Sequence, residues 1–173
     1  GNADIAQGAI IWAKVGDGDS AKDIRGFLVP TDRPGFEASL IEGKYSLRVA
    51  RTARIRLEGV RVPEDALLPG TECGLRAALT CLDHARYGIA WGVLGAAEAC
   101  MEEVCRHLDE RVVFSKALNG YQIVQGKLAD MLTRWTHARL SVDRLAQLKD
   151  EGRLREEQIS MAKYANVEIA QEV

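Results

Sequence analysis

Hydrophobic residues change their spacing near residue 70, and this change divides the chain into two halves. Over residues 1–70, apolar residues alternate with polar ones or come in short runs, a pattern typical of β-strands separated by turns. From residue 71 onward they recur every three or four positions without any proline, which is typical of long amphipathic helices. The pattern predicts a strand-rich domain over residues 1–70 and a helical domain over residues 71–173.

Four strands are predicted in the first half, at residues 8–15, 24–30, 36–41 and 54–62. A polar connector with glycine, at residues 16–20, suits a hairpin loop between the first two strands. In the fourth strand, Glu58 and Gly59 interrupt the alternation as a bulge or a turn would, and Pro63 ends the strand. These strands are interpreted as half of an antiparallel β-barrel or sandwich.

Three helices are predicted in the second half, at residues 74–112, 121–149 and 155–173, with a break at Asn119 and Gly120. Long helices joined by short loops are expected to pack antiparallel, and the wide apolar stripes leave room for one more helix. Strands followed by helices, rather than alternating with them, indicate the α+β class. The predicted fold is a partial antiparallel barrel or sandwich followed by three helices of an incomplete four-helix bundle.

Composition excludes some classes of function. The 23 basic and 25 acidic residues nearly balance, which gives no reason to expect nucleic acid or an anionic membrane as a partner. The four cysteines form no Cys-x-x-Cys pair and the three histidines are scattered, so no metal site is predicted and reduced thiols are expected. No apolar run approaches the roughly 18 residues of a membrane span, and no phosphate-binding glycine motif occurs.

An arginine interrupts the predicted core stripe of the first helix. The stripe consists of Leu75, Leu79, Leu82, Ile89, Val93 and Ala97. Arg86 falls within it, and an unpaired buried guanidinium is costly because it loses its hydration. Asp83 lies three residues earlier, so the two side chains can pair along the helix. Alternatively, Asp83 and Arg86 together offer an acceptor and a donor to one polar ligand, and the spacing leaves both interpretations open.

Several segments resemble one known family. Residues 82–96, LDHARYGIAWGVLGA, resemble the helix that follows the β domain in the glutaryl-CoA dehydrogenases, which are members of the acyl-CoA dehydrogenase family. Three further segments agree in order, and they are GKYSLR at 43–48 with VRVP at 60–63, RVVF at 111–114 and QIVQGKLADML at 122–132. Four segments in register are a specific match, and together they cover most of the chain.

The resemblance implies that the chain is a fragment. Residues 1–70 would be the C-terminal part of the family's middle β domain, and residues 71–173 the first three helices of its C-terminal bundle. The chain begins at Gly1 without a methionine and stops at Val173 inside an amphipathic pattern, so both ends look cut. The family's catalytic glutamate, in a Tyr-Glu-Gly-Thr-like motif, is expected beyond Val173. No residue is therefore predicted as catalytic, and the fragment alone is expected to be inactive.

The resemblance also implies two groups of binding residues. Residues matching the acyl-CoA channel are Leu82, Asp83, Ala85 and Arg86. Residues matching family contacts to FAD from the neighbouring subunit are Arg111, Phe114 and Gln122, where a fixed cation can meet the pyrophosphate bidentately. Contacts of this second kind require a homo-oligomer, expected to be a tetramer.

Two departures from the family pattern lie among the implied flavin contacts. The family usually has glutamine or threonine where this chain has Val113, and glycine where it has Ser115. The resemblance therefore does not extend to the side chains at these two positions.

The implied activity is FAD-dependent α,β-dehydrogenation of an acyl-CoA, with electrons passing to an electron-transferring flavoprotein. For glutaryl-CoA, decarboxylation to crotonyl-CoA follows. Alternatives are another short- or branched-chain acyl-CoA dehydrogenase, a flavin monooxygenase or oxidase on the same scaffold, and a non-catalytic helical module that binds partners through its open bundle face. The expected location is the cytoplasm in a bacterium and the mitochondrial matrix in a eukaryote.

Overall fold

The computed structural model describes residues 1–17, 20–72 and 74–173, and in this part of the chain four strands precede the long helices while a short hairpin separates the first two helices. The strands are β1 Gly8–Lys14, β2 Ile24–Pro30, β3 Phe36–Leu40, β4 Ala53–Leu57, β5 Val112–Val113 and β6 Lys116–Ala117. The helices are α1 Leu75–Glu110, α2 Gln122–Asp150 and α3 Glu156–Glu172. Contacts divide the chain into two compact units, Gly1–Thr80 and Cys81–Val173. The domain boundary expected near residue 70 stays a prediction.

In the first unit, β1 and β2 form an antiparallel ribbon. The pairing runs from Gly8 opposite Pro30 to Lys14 opposite Ile24, and it places Trp12 opposite Gly26. A Cβ atom added at Gly26 would lie 3.2 Å from the Trp12 ring and from the Leu68 side chain. The missing side chain therefore gives the indole a flat surface on which to pack. The Leu68 N–H donates to the Gly26 carbonyl at 2.9 Å, which ties the following segment to this ribbon.

A second antiparallel ribbon is formed by β3 and β4, with Phe36 opposite Leu57 and Leu40 opposite Ala53. The two ribbons belong to separate two-stranded sheets, and the described residues form no closed barrel. The predicted α+β class is confirmed. The predicted extent of the fourth strand was wrong, because β4 ends at Leu57 and residues 60–62 are not a strand. Gly59 has φ +61° and bends the chain out of the extended conformation at this point.

The loop after β3 is held together by two cationic side chains. The Lys44 Nζ donates to the carbonyl of Leu47 at 2.9 Å, to the carbonyl of Ala50, and to the Thr52 Oγ1 at 2.9 Å. Arg51 hydrogen-bonds and pairs with Asp4, which lowers the pKa of that carboxyl below its ordinary value. These bonds order an exposed loop that has little apolar burial of its own.

The second unit has a core built from all three of its helices. Its buried members are Ala90, Leu94, Ala138, Val142, Leu145 and Ala162, and Tyr87, Trp91, Trp135, Leu154 and Ile169 pack against them. The Trp135 Nε1 donates to the Leu94 carbonyl at 3.1 Å, and the Lys149 ammonium lies 4.3 Å from the Tyr87 ring centroid. Since later residues of α2 meet earlier residues of α1, these two helices are antiparallel, as predicted.

A buried asparagine joins the third helix to the first. Asn166 is 1% exposed, and its Nδ2 donates to the Ala90 carbonyl at 3.0 Å. A buried amide needs such a partner because it has lost its hydrogen bonds to water. This bond fixes where α3 lies along α1.

The predicted core stripe of α1 was wrong over most of its length, although Ala97 is buried as predicted. The leucines at 75, 79 and 82 and Ile89 are 39–50% exposed, whereas Asp83, Ala90, Leu94 and Ala97 are the buried residues of that part of the helix. Apolar residues at helical spacing form two faces on α1. The face with small alanines is the one buried in the core, because small side chains let neighbouring helices approach closely. Arg86 therefore lies beside the buried face and not inside it.

The predicted end of the first helix was also wrong. The helix ends at Glu110, and Val112–Val113 pairs with Lys116–Ala117 in a short antiparallel hairpin that was not predicted. The later helices begin within a residue of their predicted positions. None of the helices in the described part of the chain has the length and apolar character that crossing a membrane would require.

Candidate functional site

One half of the expected site lies in the first third of α1. Arg86 Nη1 donates to Asp83 Oδ1 at 3.1 Å, which is the pairing that the spacing allowed. The Asp83 side chain is 11% exposed and the Arg86 side chain 44% exposed. The carboxylate is thus almost covered while the guanidinium extends into solvent. Because a guanidinium has five N–H donors, this pair leaves most of them available to an anion or a carbonyl.

The other two expected substrate contacts flank this pair on the surface. Leu82 is 50% exposed, and Ala85 is also exposed. An exposed leucine and alanine beside an anchored guanidinium give a surface with an apolar part and a cationic part. Such a surface suits an amphipathic ligand with a polar or anionic group.

The second half of the expected site follows the end of α1. Arg111 comes directly after the helix, Phe114 lies in the hairpin turn, and Gln122 is the first residue of α2. The Phe114 side chain is 93% exposed. Phe114 and Ser115 have φ values of 50° and 63°, so both central residues of the two-residue turn are left-handed. Two positive φ values define a type I′ turn, whose twist matches a β-hairpin.

The Arg111 guanidinium makes no hydrogen bond or ion pair with the described residues, and its acidic neighbours are already engaged. Arg106 pairs with Glu103 and with Glu110, and the hydrogen bond from Arg106 lowers the pKa of Glu103. The Asp109 Oδ1 accepts from Asn119 Nδ2 at 2.6 Å. The N–H donors of the Arg111 side chain therefore stay unpaired among the described residues, three positions before the exposed Phe114.

Tyr121 and Asn119 hold this segment in place, and neither was predicted as a site residue. The Tyr121 hydroxyl donates to the Val113 carbonyl at 2.6 Å. The Asn119 carbonyl accepts from Gln125 Nε2 at 2.9 Å. Both residues stand at the Asn-Gly break, which predicted only a loop, so the only sequence signal for them was their position beside a turn.

The two halves of the expected site are far apart, because one lies on α1 and the other follows the end of that helix. The described residues show no contact between the side chains of the two groups. At a rise of about 1.5 Å per residue, Arg86 and Glu110 are separated by about 36 Å along α1. One compact ligand cannot bridge that distance, so the two groups are suited to two ligands, or to distant parts of extended ones.

An open apolar cleft of about 350 Å³ lies between α1 and α2 in the second unit. Its lining residues are Glu98, Met101, Glu102, Cys105, Leu128, Leu132 and Trp135. None of the expected site residues lines it. Among the described residues, no group of three or more histidine, cysteine, aspartate or glutamate side chains is placed to hold a metal ion.

Solved structures with this arrangement of strands and helices are known. The glutaryl-CoA dehydrogenase from Mycobacterium smegmatis in complex with FADH2 is 44% identical, with a TM-score of 0.88, over 98% of this chain and 42% of that one. A glutaryl-coenzyme A dehydrogenase in complex with glutaryl-CoA is 30% identical, with a TM-score of 0.88, over 99% of this chain and 44% of that one. The fold is therefore that of the acyl-CoA dehydrogenases.

Sequence similarity indicates the same family as the fold does. The family model "Acyl-CoA dehydrogenase, C-terminal domain" matches residues 72–173. The human mitochondrial short-chain specific acyl-CoA dehydrogenase is 34% identical over 169 residues, which is 98% of this chain and 41% of that protein. The chain belongs to the acyl-CoA dehydrogenase family. It spans about two-fifths of the length of the curated relatives that it matches.

Proposed function

We propose that this chain forms part of an FAD-dependent acyl-CoA dehydrogenase whose substrate is glutaryl-CoA. This proposal rests on two exposed guanidinium groups with free donors in a chain of this family. Arg86 lies near the exposed Leu82 in sequence, and Arg111 comes three residues before the exposed Phe114. Two separate cationic sites suit two separate anionic ligands, a CoA thioester and a dinucleotide.

The residues at the end of α1 fit FAD. Arg111 offers a fork of N–H donors that matches pyrophosphate oxygens, and Phe114 offers an apolar face beside it. Gln122 adds an amide at the start of α2, where the helix N-terminus favours an anion. When bound, FAD would supply the acceptor for the hydride that leaves the substrate. We propose that these residues reach the FAD of a neighbouring subunit in a homotetramer.

In the first third of α1, Arg86 and Asp83 would hold the CoA part of the substrate. In this proposal Arg86 donates hydrogen bonds to oxygen atoms of the CoA, and Asp83 keeps the guanidinium in place. Leu82 and Ala85 lie against the apolar portion of the substrate. Neither of these charged residues is proposed as the catalytic base. The base is expected to be a glutamate in a Tyr-Glu-Gly-Thr-like motif, which residues 1–173 do not contain.

Identity to one glutaryl-CoA dehydrogenase supports glutaryl-CoA as the proposed substrate. The chain is 44% identical to the Mycobacterium smegmatis glutaryl-CoA dehydrogenase and 34% identical to the human short-chain enzyme. The proposed reaction includes decarboxylation to crotonyl-CoA and transfer of electrons to an electron-transferring flavoprotein, in the bacterial cytoplasm or the mitochondrial matrix. Bleaching of the flavin absorbance by glutaryl-CoA, and not by butyryl-CoA, would support this substrate. The reverse preference would assign a short-chain substrate.

Replacing Arg111 by alanine is expected to weaken FAD binding by about 2 kcal/mol, or roughly thirtyfold, because two charge-assisted hydrogen bonds to phosphate are lost. Equilibrium dialysis of FAD against the gene product that carries this sequence measures the effect. The matched control is Arg153→Ala, since Arg153 is an exposed arginine in the loop after α2. Equal FAD affinity in wild type and Arg111→Ala would contradict the proposed flavin site.

Replacing Arg86 by alanine is expected to weaken CoA-thioester binding by about 2 kcal/mol while FAD affinity stays unchanged, because a charged donor is lost at the substrate only. Calorimetric titration of the FAD-loaded protein with glutaryl-CoA measures it. Arg76→Ala is the control, since Arg76 is an exposed arginine on the same helix. If both variants bind glutaryl-CoA as wild type does, Arg86 has only a structural role.

A further inference from the structure

The turn that presents Phe114 has a conformation that its own residues disfavour. Phe114 and Ser115 both have positive φ, which L-residues with a side chain rarely adopt. The Phe114 ring is 93% exposed, so burial of the ring does not offset this strain. A strained turn persists only where surrounding contacts fix it, and such turns are common at ligand-binding sites.

Tyr121 supplies contacts to both strands of this hairpin. Its hydroxyl donates to the Val113 carbonyl at 2.6 Å, and the Lys116 ammonium lies 5.1 Å from the centroid of its ring. Val113 belongs to β5 and Lys116 to β6, and the turn lies between them. One partly buried side chain therefore clamps the hairpin on either side of Phe114.

The Tyr121 hydroxyl bonds to the peptide group that directly precedes Phe114 in the turn. The Val113 carbonyl and the Phe114 nitrogen belong to the same planar peptide group. When that plane is fixed, the rotation about the Phe114 N–Cα bond is restricted. The direction of the Phe114 side chain is then restricted too. At the base of the hairpin, the Leu118 N–H donates to the Arg111 carbonyl at 2.9 Å, so Arg111 belongs to the same ordered unit.

We propose that Tyr121 is a positioning residue for the flavin site, and that its hydroxyl holds the Phe114 turn in the orientation that receives the dinucleotide. This inference rests on the proposed function of Arg111 and Phe114. Tyr121 does not touch the flavin in this proposal, and it acts through the Val113 peptide. Preorganisation of this kind raises affinity because the turn does not have to be ordered when the ligand binds.

The test is Tyr121→Phe in the gene product that carries this sequence, which removes the hydroxyl and keeps the ring. We expect the Kd for FAD to rise roughly tenfold. Amide hydrogen exchange should become faster over residues 112–118 and stay unchanged in α3. The melting temperature should not change, because the hairpin buries little. Tyr164→Phe, at a tyrosine that is 69% exposed on α3, is the matched control and should leave FAD binding and exchange unaltered.

A second substitution separates positioning from a general structural role. Glycine adopts positive φ without strain, so adding Ser115→Gly to Tyr121→Phe should restore most of the FAD affinity although the hydroxyl is still missing. A general loss of stability would instead lower the melting temperature of Tyr121→Phe, which the positioning role leaves unchanged. If Tyr121→Phe leaves FAD affinity and hairpin exchange unchanged while Arg111→Ala weakens FAD, the positioning role is wrong and the flavin site stands. If Arg111→Ala also has no effect, the proposed flavin site itself is wrong.

Discussion

Replacing Asn166 by aspartate is expected to lower the free energy of unfolding of the second unit by about 4 kcal/mol at pH 7. The substitution keeps the shape of the side chain and removes its N–H donors. The introduced carboxylate would be buried at a position that is 1% exposed and would face the Ala90 carbonyl, another acceptor. Urea unfolding followed by the circular dichroism of the helices measures the loss.

The same variant should regain stability as the pH falls. Burial disfavours the charged form, so the introduced carboxyl has a higher pKa in the folded state than in the unfolded state. The folded state then binds more protons, and stability rises as the pH is lowered from 7 toward the pKa of an ordinary carboxyl. Gln171→Glu, at an exposed amide on the same helix, should show neither effect. A loss below about 1 kcal/mol would mean that the Asn166 bond does not fix α3.

Replacing Gly35 by alanine is expected to destabilise the β3–β4 ribbon by about 3 kcal/mol or more. Gly35 has φ +87°, and a Cβ atom there would lie 2.0 Å from the carbonyl oxygen of Glu58. That oxygen belongs to the backbone and cannot swing away, and the Glu58 N–H donates to the Gly35 carbonyl at 2.9 Å. The ribbon would have to open at this end. Amide exchange over residues 36–57 reports the change locally.

A second glycine separates overlap from backbone strain. Gly43 has a similar φ of +70°, but a Cβ atom there would meet nothing within 4 Å. Gly43→Ala should therefore cost only about 1–2 kcal/mol, the cost of the left-handed conformation itself. Equal losses in the two variants would show that the close approach at Gly35 relaxes easily.

Local patterns predicted the elements that have a clear period. The strands β1, β2 and β3 agree with their predicted positions to within one residue, because apolar residues alternate along them or come in short runs. The alternation also continues past Gly59, and this is why β4 was predicted too long. The β5–β6 hairpin was missed because four paired residues are too few to show a period. Its turn is Phe114-Ser115, without the asparagine or glycine that marks most type I′ turns.

The candidate site was predicted only in part by local rules. The Asp83–Arg86 pair follows from a spacing of three along a helix. Spacing does not predict which face of α1 is buried, because this depends on which neighbouring helices pack there. The Asn166 bond to Ala90 joins positions 76 residues apart, and no local pattern anticipates it. The roles given to Arg111, Phe114 and Gln122 come from resemblance, and they stay proposals.

The placement of the tryptophans makes the two units separately observable by fluorescence. Trp12 packs on Gly26 and Leu68 in the first unit, whereas Trp91 and Trp135 belong to the core of the second. In a Trp12→Phe variant, tryptophan fluorescence would come only from the second unit. In a variant with phenylalanine at positions 91 and 135, tryptophan fluorescence would come only from the first unit. The order in which the units lose structure can then be followed in one denaturant titration, without any added label.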